Sequence, residues 1–124
     1  MEIDRIDHVV LTARDLDATV AFYCGVLGMR LERFGEGRLA LAFGGQKINL
    51  HRLGDEIAPK AAVPTPGSLD LCLIVRTPLA EVARVLAAAG VALGPVRRTG
   101  ASGPITSLYL RDPDSNLIEL AAYD

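Results

Sequence analysis

The sequence predicts an α+β fold made of two successive βαβββ modules. Three observations predict it. Short β-branched runs alternate with two amphipathic helical segments. Glycine-rich and Asp-Pro turns separate the runs. The order of elements in the first half recurs in the second at a nearly constant offset. Composition permits one domain with its own core, since half of the 124 residues are apolar and 23% are charged.

Ile6, His8, Val10 and Thr12 alternate with Asp7, Val9 and Leu11 and predict a first strand. Asp15 or Asp17 then caps a helix whose apolar stripe is Leu16, Val20, Tyr23, Cys24 and Leu27, stopped by Gly28. Met29–Phe34 and Arg38–Phe43 read as a hairpin around Gly35-Glu36-Gly37. After Gly44-Gly45, Lys47–Arg52 forms a fourth strand. This module covers 1–52. A linker over 53–67 follows, marked by Pro59, Pro64 and Pro66, which also stands as a candidate lid.

The second module, 68–124, repeats the order. Ser68–Arg76 is a strand, and Thr77-Pro78 opens a helix with Pro at its first position. Leu79, Val82, Leu86 and Ala89 form its stripe, ended by Gly90. Val91–Arg97, Ile105–Arg111 and Asn116–Ala121 are the remaining strands, with Asp112-Pro113-Asp114 as the last turn. His8 aligns with Asp70 at an offset of 62 (70 less 8), and Leu27-Gly28 with Ala89-Gly90 at the same offset. Asn49 aligns with Glu119 at 70 (119 less 49), after a longer third loop. Two such halves predict two curved sheets meeting edge to edge, helices outside and a concavity inside.

Other classes are disfavoured. A net charge of −2, from 13 basic and 15 acidic residues, leaves no electrostatic footprint for nucleic acid or an anionic membrane. Cys24 and Cys72 lack metal-finger spacing and lie in apolar runs, so both read as small buried hydrophobes. The N-terminus carries acids and no long apolar stretch, and Leu79–Val96 is broken by charges, glycines and Pro95. The chain reads as a soluble cytoplasmic domain.

Several polar residues interrupt apolar strands. Helices must cover the apolar faces, which leaves His8, Asn49, Asp70 and Glu119 at four repeat-related positions of the concavity. His51 shares a face with Asn49. A buried carboxylate is costly unless paired or metal-bound. Two carboxylates and an imidazole converging on one point suit a divalent cation, and hydrogen-bonded core residues are the competing reading.

The run IDHVVLTARDLDATVAFYCGVLGMRL resembles the opening module of the vicinal oxygen chelate superfamily. That superfamily includes glyoxalases, bleomycin-resistance proteins and extradiol dioxygenases. The closing RDPDSNLIEL, Arg111–Leu120, resembles its second signature. The chain is most similar to small glyoxalase-domain-containing proteins. The resemblance implies the glyoxalase-like fold and metal ligands on the first, fourth, fifth and eighth strands. His8 and Glu119 match as types, whereas Asn49 and Asp70 depart. His51 is the substitute for the missing histidine, so the expected ligands are His8, His51 and Glu119. Glu119 and Asp70 are the expected catalytic groups. Asn49, Arg98, Ser107 and Tyr109 are expected to meet substrate, Arg98 from a glycine-rich basic loop.

The expected function is that of a divalent-metal enzyme (iron, manganese, nickel or zinc). Its chemistry would be isomerase, lyase or dioxygenase-like, on a small oxygen-chelating substrate. The alternative is a metal-free antibiotic-sequestering protein of the bleomycin-resistance type. The absence of Trp and the few Phe and Tyr argue against a large stacking site. The family also implies a homodimer with small-molecule partners, and the charge balance points to no nucleic acid or membrane partner.

Overall fold

The computed structural model describes residues 1–90 and 93–124. It divides into two units, Met1–Gly67 and Ser68–Asp124. The first holds β1 (His8–Ala13), α1 (Leu16–Gly25), β2 (Arg30–Phe34), β3 (Arg38–Phe43) and β4 (Gln46–Arg52). The second holds β5 (Asp70–Ile74), α2 (Leu79–Ala88), β6 (Leu93–Gly100), β7 (Gly103–Arg111) and β8 (Leu117–Tyr123). This is the expected α+β architecture, with two four-stranded sheets and one helix in each unit.

The sheets share one topology. Their strand orders are β1-β4-β3-β2 and β5-β8-β7-β6. The first-named pair of each sheet is parallel and the others antiparallel. Register carries the repeat. His8 lies opposite Lys47, and Asp70 opposite Leu117; Val10 lies opposite Asn49, and Cys72 opposite Glu119. The second set is the first moved 62 residues along the leading strand and 70 along the closing one.

Strand periodicity divides each sheet into two faces. In the first, Leu11, Ala13, Leu41, Ile48 and Leu50 share the apolar face and are buried. In the second, Leu108, Leu110, Ile118 and Leu120 do the same. The opposite faces carry the polar side chains.

The helices depart from expectation in detail. Asp15 is the N-cap of α1, accepting a 3.0 Å bond from the Ala18 amide. The helix ends at Gly25, before Gly28, which takes φ +73° in the turn beyond. Its buried residues are Thr19 and Tyr23, while Leu16, Val20, Cys24 and Leu27 are half-buried. Thr19 is accommodated because its hydroxyl donates to the Asp15 carbonyl at 2.9 Å. Pro78 precedes α2 as its N-cap instead of occupying the first helical position. Val82 and Leu86 are the buried part of the predicted stripe. The strand predicted over Val91–Arg97 is observed as Leu93–Gly100, with Val91 and Ala92 outside the described residues.

The Asp-Pro turn is a hydrogen-bonded knot. Asp112 Oδ1 accepts from the Asp114 and Asn116 amides, each at 2.9 Å, and Oδ2 accepts from Asn116 Nδ2 at 2.8 Å. Asn116 Oδ1 in turn accepts from the Leu69 amide at 2.8 Å. The turn therefore sets where β5 begins beside β8.

Candidate functional site

On the polar face of the first sheet, register places three rows. Thr12 stands beside His51, Val10 beside Asn49 and His8 beside Lys47. Asn49 and His51 are 5% and 4% exposed. Asn49 Oδ1 and both ring nitrogens of His51 are buried and meet no hydrogen-bond partner among the described residues. His8 is exposed, its Nδ1 2.7 Å from Asp7 Oδ2, and the contact holds the Asp7 carboxyl below its ordinary range. His8 and His51 are not brought together. Four residues of strand separate their rows, about 13 Å along the sheet.

Burial, followed by the positive charge of Arg38, holds the His51 imidazole below its ordinary pKa; Glu56 opposes this and Lys60 adds to it. The ring is neutral at pH 7. Because the folded pKa lies below the unfolded one, the unfolded chain binds the extra proton first as pH falls below about 6.5. Stability from this group is therefore complete above that pH and declines in acid until the folded pKa is reached. Thermal melts between pH 8 and 5 are expected to show this acid decline in the wild type and a shallower one in His51→Gln.

On the polar face of the second sheet, Glu119 lies between Cys72 on β5 and Tyr109 on β7. Ser107 is fully buried and its hydroxyl donates to Glu119 Oε1. Cys72 corrects an expectation. It is exposed and lines a cavity instead of being packed as a hydrophobe, because its face of β5 is the polar one. Its thiol is pushed up to about 11, first by the packing around it, then by the charge of Glu119 and a hydrogen bond to that carboxylate, and last by Asp70. At neutral pH it is a protonated donor to Glu119 and no nucleophile. Cys24 is half-buried.

That cavity has a volume of about 370 Å³. Arg98, Glu119, Ile74 and Ile105 line it with Cys72 and Tyr123. Arg98 is held in place, its Nε donating to the Tyr109 hydroxyl at 2.9 Å and its guanidinium 5.6 Å from the centre of the Tyr109 ring. Arg97, on the other face of β6, is committed to Asp124 at 2.7 Å. Tyr123 accepts from the Ser102 amide at 3.1 Å and so ties the β6–β7 hairpin to β8. Arg98, Ser107, Tyr109 and Glu119 thus share one face of one sheet, and Asp70 lies exposed on β5. Sequence reasoning missed Cys72 and Tyr123. The signal for Cys72 was available, since it stands two residues from Asp70 on a period-two strand.

Among the described residues no three His, Cys, Asp or Glu side chains gather into a metal-binding group. The donors suit a divalent cation in kind. In the second unit Glu119 is a carboxylate at a cavity wall; in the first, separately, His51 is a neutral imidazole whose two nitrogens meet no partner among the described residues.

Comparison with known proteins agrees with this architecture. The profile of the Glyoxalase/Bleomycin resistance protein/Dioxygenase superfamily matches residues 5–120. The chain is 54% identical to Virulence protein STM3117 of Salmonella typhimurium, over 99% of this chain and 87% of that one. The crystal structure of that protein superposes with a TM-score of 0.97, covering all of both chains at 53% identity. Glyoxalase domain-containing protein RDO1 of Mycosarcoma maydis is 51% identical over 99% of this chain and 70% of its own. Two more distant structures share the fold alone. They are lactoylglutathione lyase from Agrobacterium tumefaciens (TM-score 0.76, 23% identity, 98% and 96% covered) and TnmS3, an antibiotic binding protein from Streptomyces sp. CB03234 (TM-score 0.78, 22% identity, 100% and 99% covered). With a profile match over nearly its whole length and relatives above half identity, the chain belongs to the glyoxalase/bleomycin resistance/dioxygenase superfamily.

Proposed function

We propose that this protein is a divalent-metal-dependent enzyme of the glyoxalase/dioxygenase type, acting on a small oxygen-bearing substrate. The observation that carries the reading is the second-sheet cavity, where a fixed guanidinium and a carboxylate line the same 370 Å³. Arg98, oriented by Tyr109, offers its remaining N–H groups to a substrate carboxylate. Ser107 and Cys72 both donate to Glu119 and fix its orientation. Glu119 is the carboxylate that would hold the cation. When bound, such a cation acts as a Lewis acid toward a substrate oxygen. Asp70, exposed at the start of β5, is the residue assigned to proton transfer. Ile74 and Ile105 exclude water from the apolar part of the substrate.

The reading extends to a cytoplasmic homodimer. No helix among the described residues is long and apolar enough to cross a membrane. The second reading, sequestration without metal, is favoured by the fold shared with an antibiotic binding protein. The cavity's charged pair favours the first. Isothermal titration with glycolate and lactate is expected to give saturable binding that Arg98→Ala weakens roughly 10- to 100-fold. Equal affinity in wild type and Arg98→Ala would remove Arg98 from the site.

A further inference from the structure

The second-sheet cavity is polar at one end only. Register lays out three rows across that face of the sheet. Cys72, Glu119 and Tyr109 form the first, Ile74, Ala121 and Ser107 the second, and Tyr123, Ile105 and Arg98 the third. Four residues of β8 separate Glu119 from Tyr123, about 13 Å along the strand. Arg98 stands in the third row, but its bond to the Tyr109 hydroxyl turns the guanidinium toward the first. Charge therefore gathers toward Glu119, and the far end is apolar.

Three features shape that far end. The middle row is low, because Ser107 and Ala121 are small and fully buried. Ile74 and Tyr123 line the cavity yet leave large apolar surfaces open, at 54% and 40% exposed. The β6–β7 hairpin closes the end. A Cβ on Gly100 would stand 2.8 Å from the Tyr123 hydroxyl and 2.9 Å from Ile105 Cγ2, so only glycine lets the hairpin lie this close. Among the described residues that line the cavity, Arg98 is the one cation, so a second anionic group on a ligand would find no partner at the far end. At about 30 Å³ for a water in the liquid, a cavity of 370 Å³ has room for about a dozen non-hydrogen atoms. A two- or three-carbon acid leaves much of it to water.

We infer that this cavity selects monocarboxylates with a slender apolar chain of about six to ten carbons. The carboxylate sits on Arg98, and the chain lies over Ser107 and Ala121 against Ile74, Ile105 and Tyr123. The inference rests on the carboxylate-binding role proposed for Arg98 and adds which carboxylates the site takes.

The test is isothermal titration of the purified protein with butyrate, hexanoate, octanoate, decanoate and dodecanoate, each below its critical micelle concentration. Hexanol is the uncharged control. Each methylene buried is expected to tighten binding about fourfold from butyrate through octanoate. The gain is expected to stop between decanoate and dodecanoate, where the chain outgrows the cavity. Arg98→Ala is expected to weaken octanoate roughly tenfold or more. Ile74→Asp, at an exposed position, is expected to lower the octanoate-to-butyrate affinity ratio about tenfold. The wild-type series is decisive where a variant fails to fold. Equal affinities along the series, still lost in Arg98→Ala, would overturn the chain selectivity and leave the carboxylate reading standing. Failure of every acid to bind would overturn both. Affinity still climbing at dodecanoate, or hexanol bound as tightly as hexanoate, would mark unspecific apolar contact and overturn the inference.

Discussion

Asp112→Ala is expected to destabilise the protein by about 3–4 kcal/mol, lowering Tm by roughly 10–15 °C. Asp112 is 5% exposed, and its carboxylate accepts from two backbone amides and one side-chain amide. Hydrogen bonds to a charged acceptor contribute about 1.5–3 kcal/mol each, although they are not additive. Removing the carboxylate leaves buried donors without an acceptor, and alanine cannot admit the chain to the same turn by itself. Asn116 would lose the contact that holds it against the Leu69 amide, so the β5–β8 pairing is expected to loosen with it. Urea unfolding of wild type and variant measures the loss. A change below about 1 kcal/mol would mean the turn is held by its backbone alone.

The second large effect is expected at Gly94, where φ is +126°. A Cβ there would stand 2.8 Å from the Ser107 carbonyl oxygen and 3.3 Å from Leu108 Cδ2. Neither neighbour is free to move, since Ser107 is on the central strand β7 and its side chain holds Glu119. Backbone strain and the forced approach together give about 3 kcal/mol of destabilisation for Gly94→Ala. The same displacement would shift Ser107, so ligand affinity is expected to fall with stability. Paired melting and titration of Gly94→Ala test this. Full affinity in the folded variant would separate β6 packing from the orientation of Glu119.

Much of the fold was legible because strand and helix periodicities are local properties. The repeat was legible because both halves solve the same packing problem, with one helix and four strands ordered alike. Boundaries slipped where neighbours decide them. Gly28 looked like a helix stop, yet α1 ends at Gly25. The apolar stripe of α1 left out Thr19, which is buried on the same face because its hydroxyl bonds the Asp15 carbonyl, a contact that apolarity alone does not register. At the site, the alternation of β7 put Ser107 and Tyr109 on one face, and the β7–β8 register brings Glu119 beside Tyr109. Cys72 was misread because its apolar neighbours were weighed above the polar face that it shares with Asp70. The separation of His8 from His51 depends on the parallel register of β1 and β4, a long-range pairing that strand patterns do not encode.

A divalent-metal site that needs Glu119 is tested most directly by elemental analysis of the purified protein. The chain would be loaded in turn with iron, manganese, nickel and zinc and freed of loose metal by gel filtration. Close to one ion per chain is expected for at least one metal, falling to less than a tenth of that in Glu119→Gln. His8→Ala and His51→Ala, measured beside it, show whether metal retention needs either imidazole. Wild-type protein that retains none of the four metals would contradict a metal-dependent activity and favour metal-free sequestration of a small molecule.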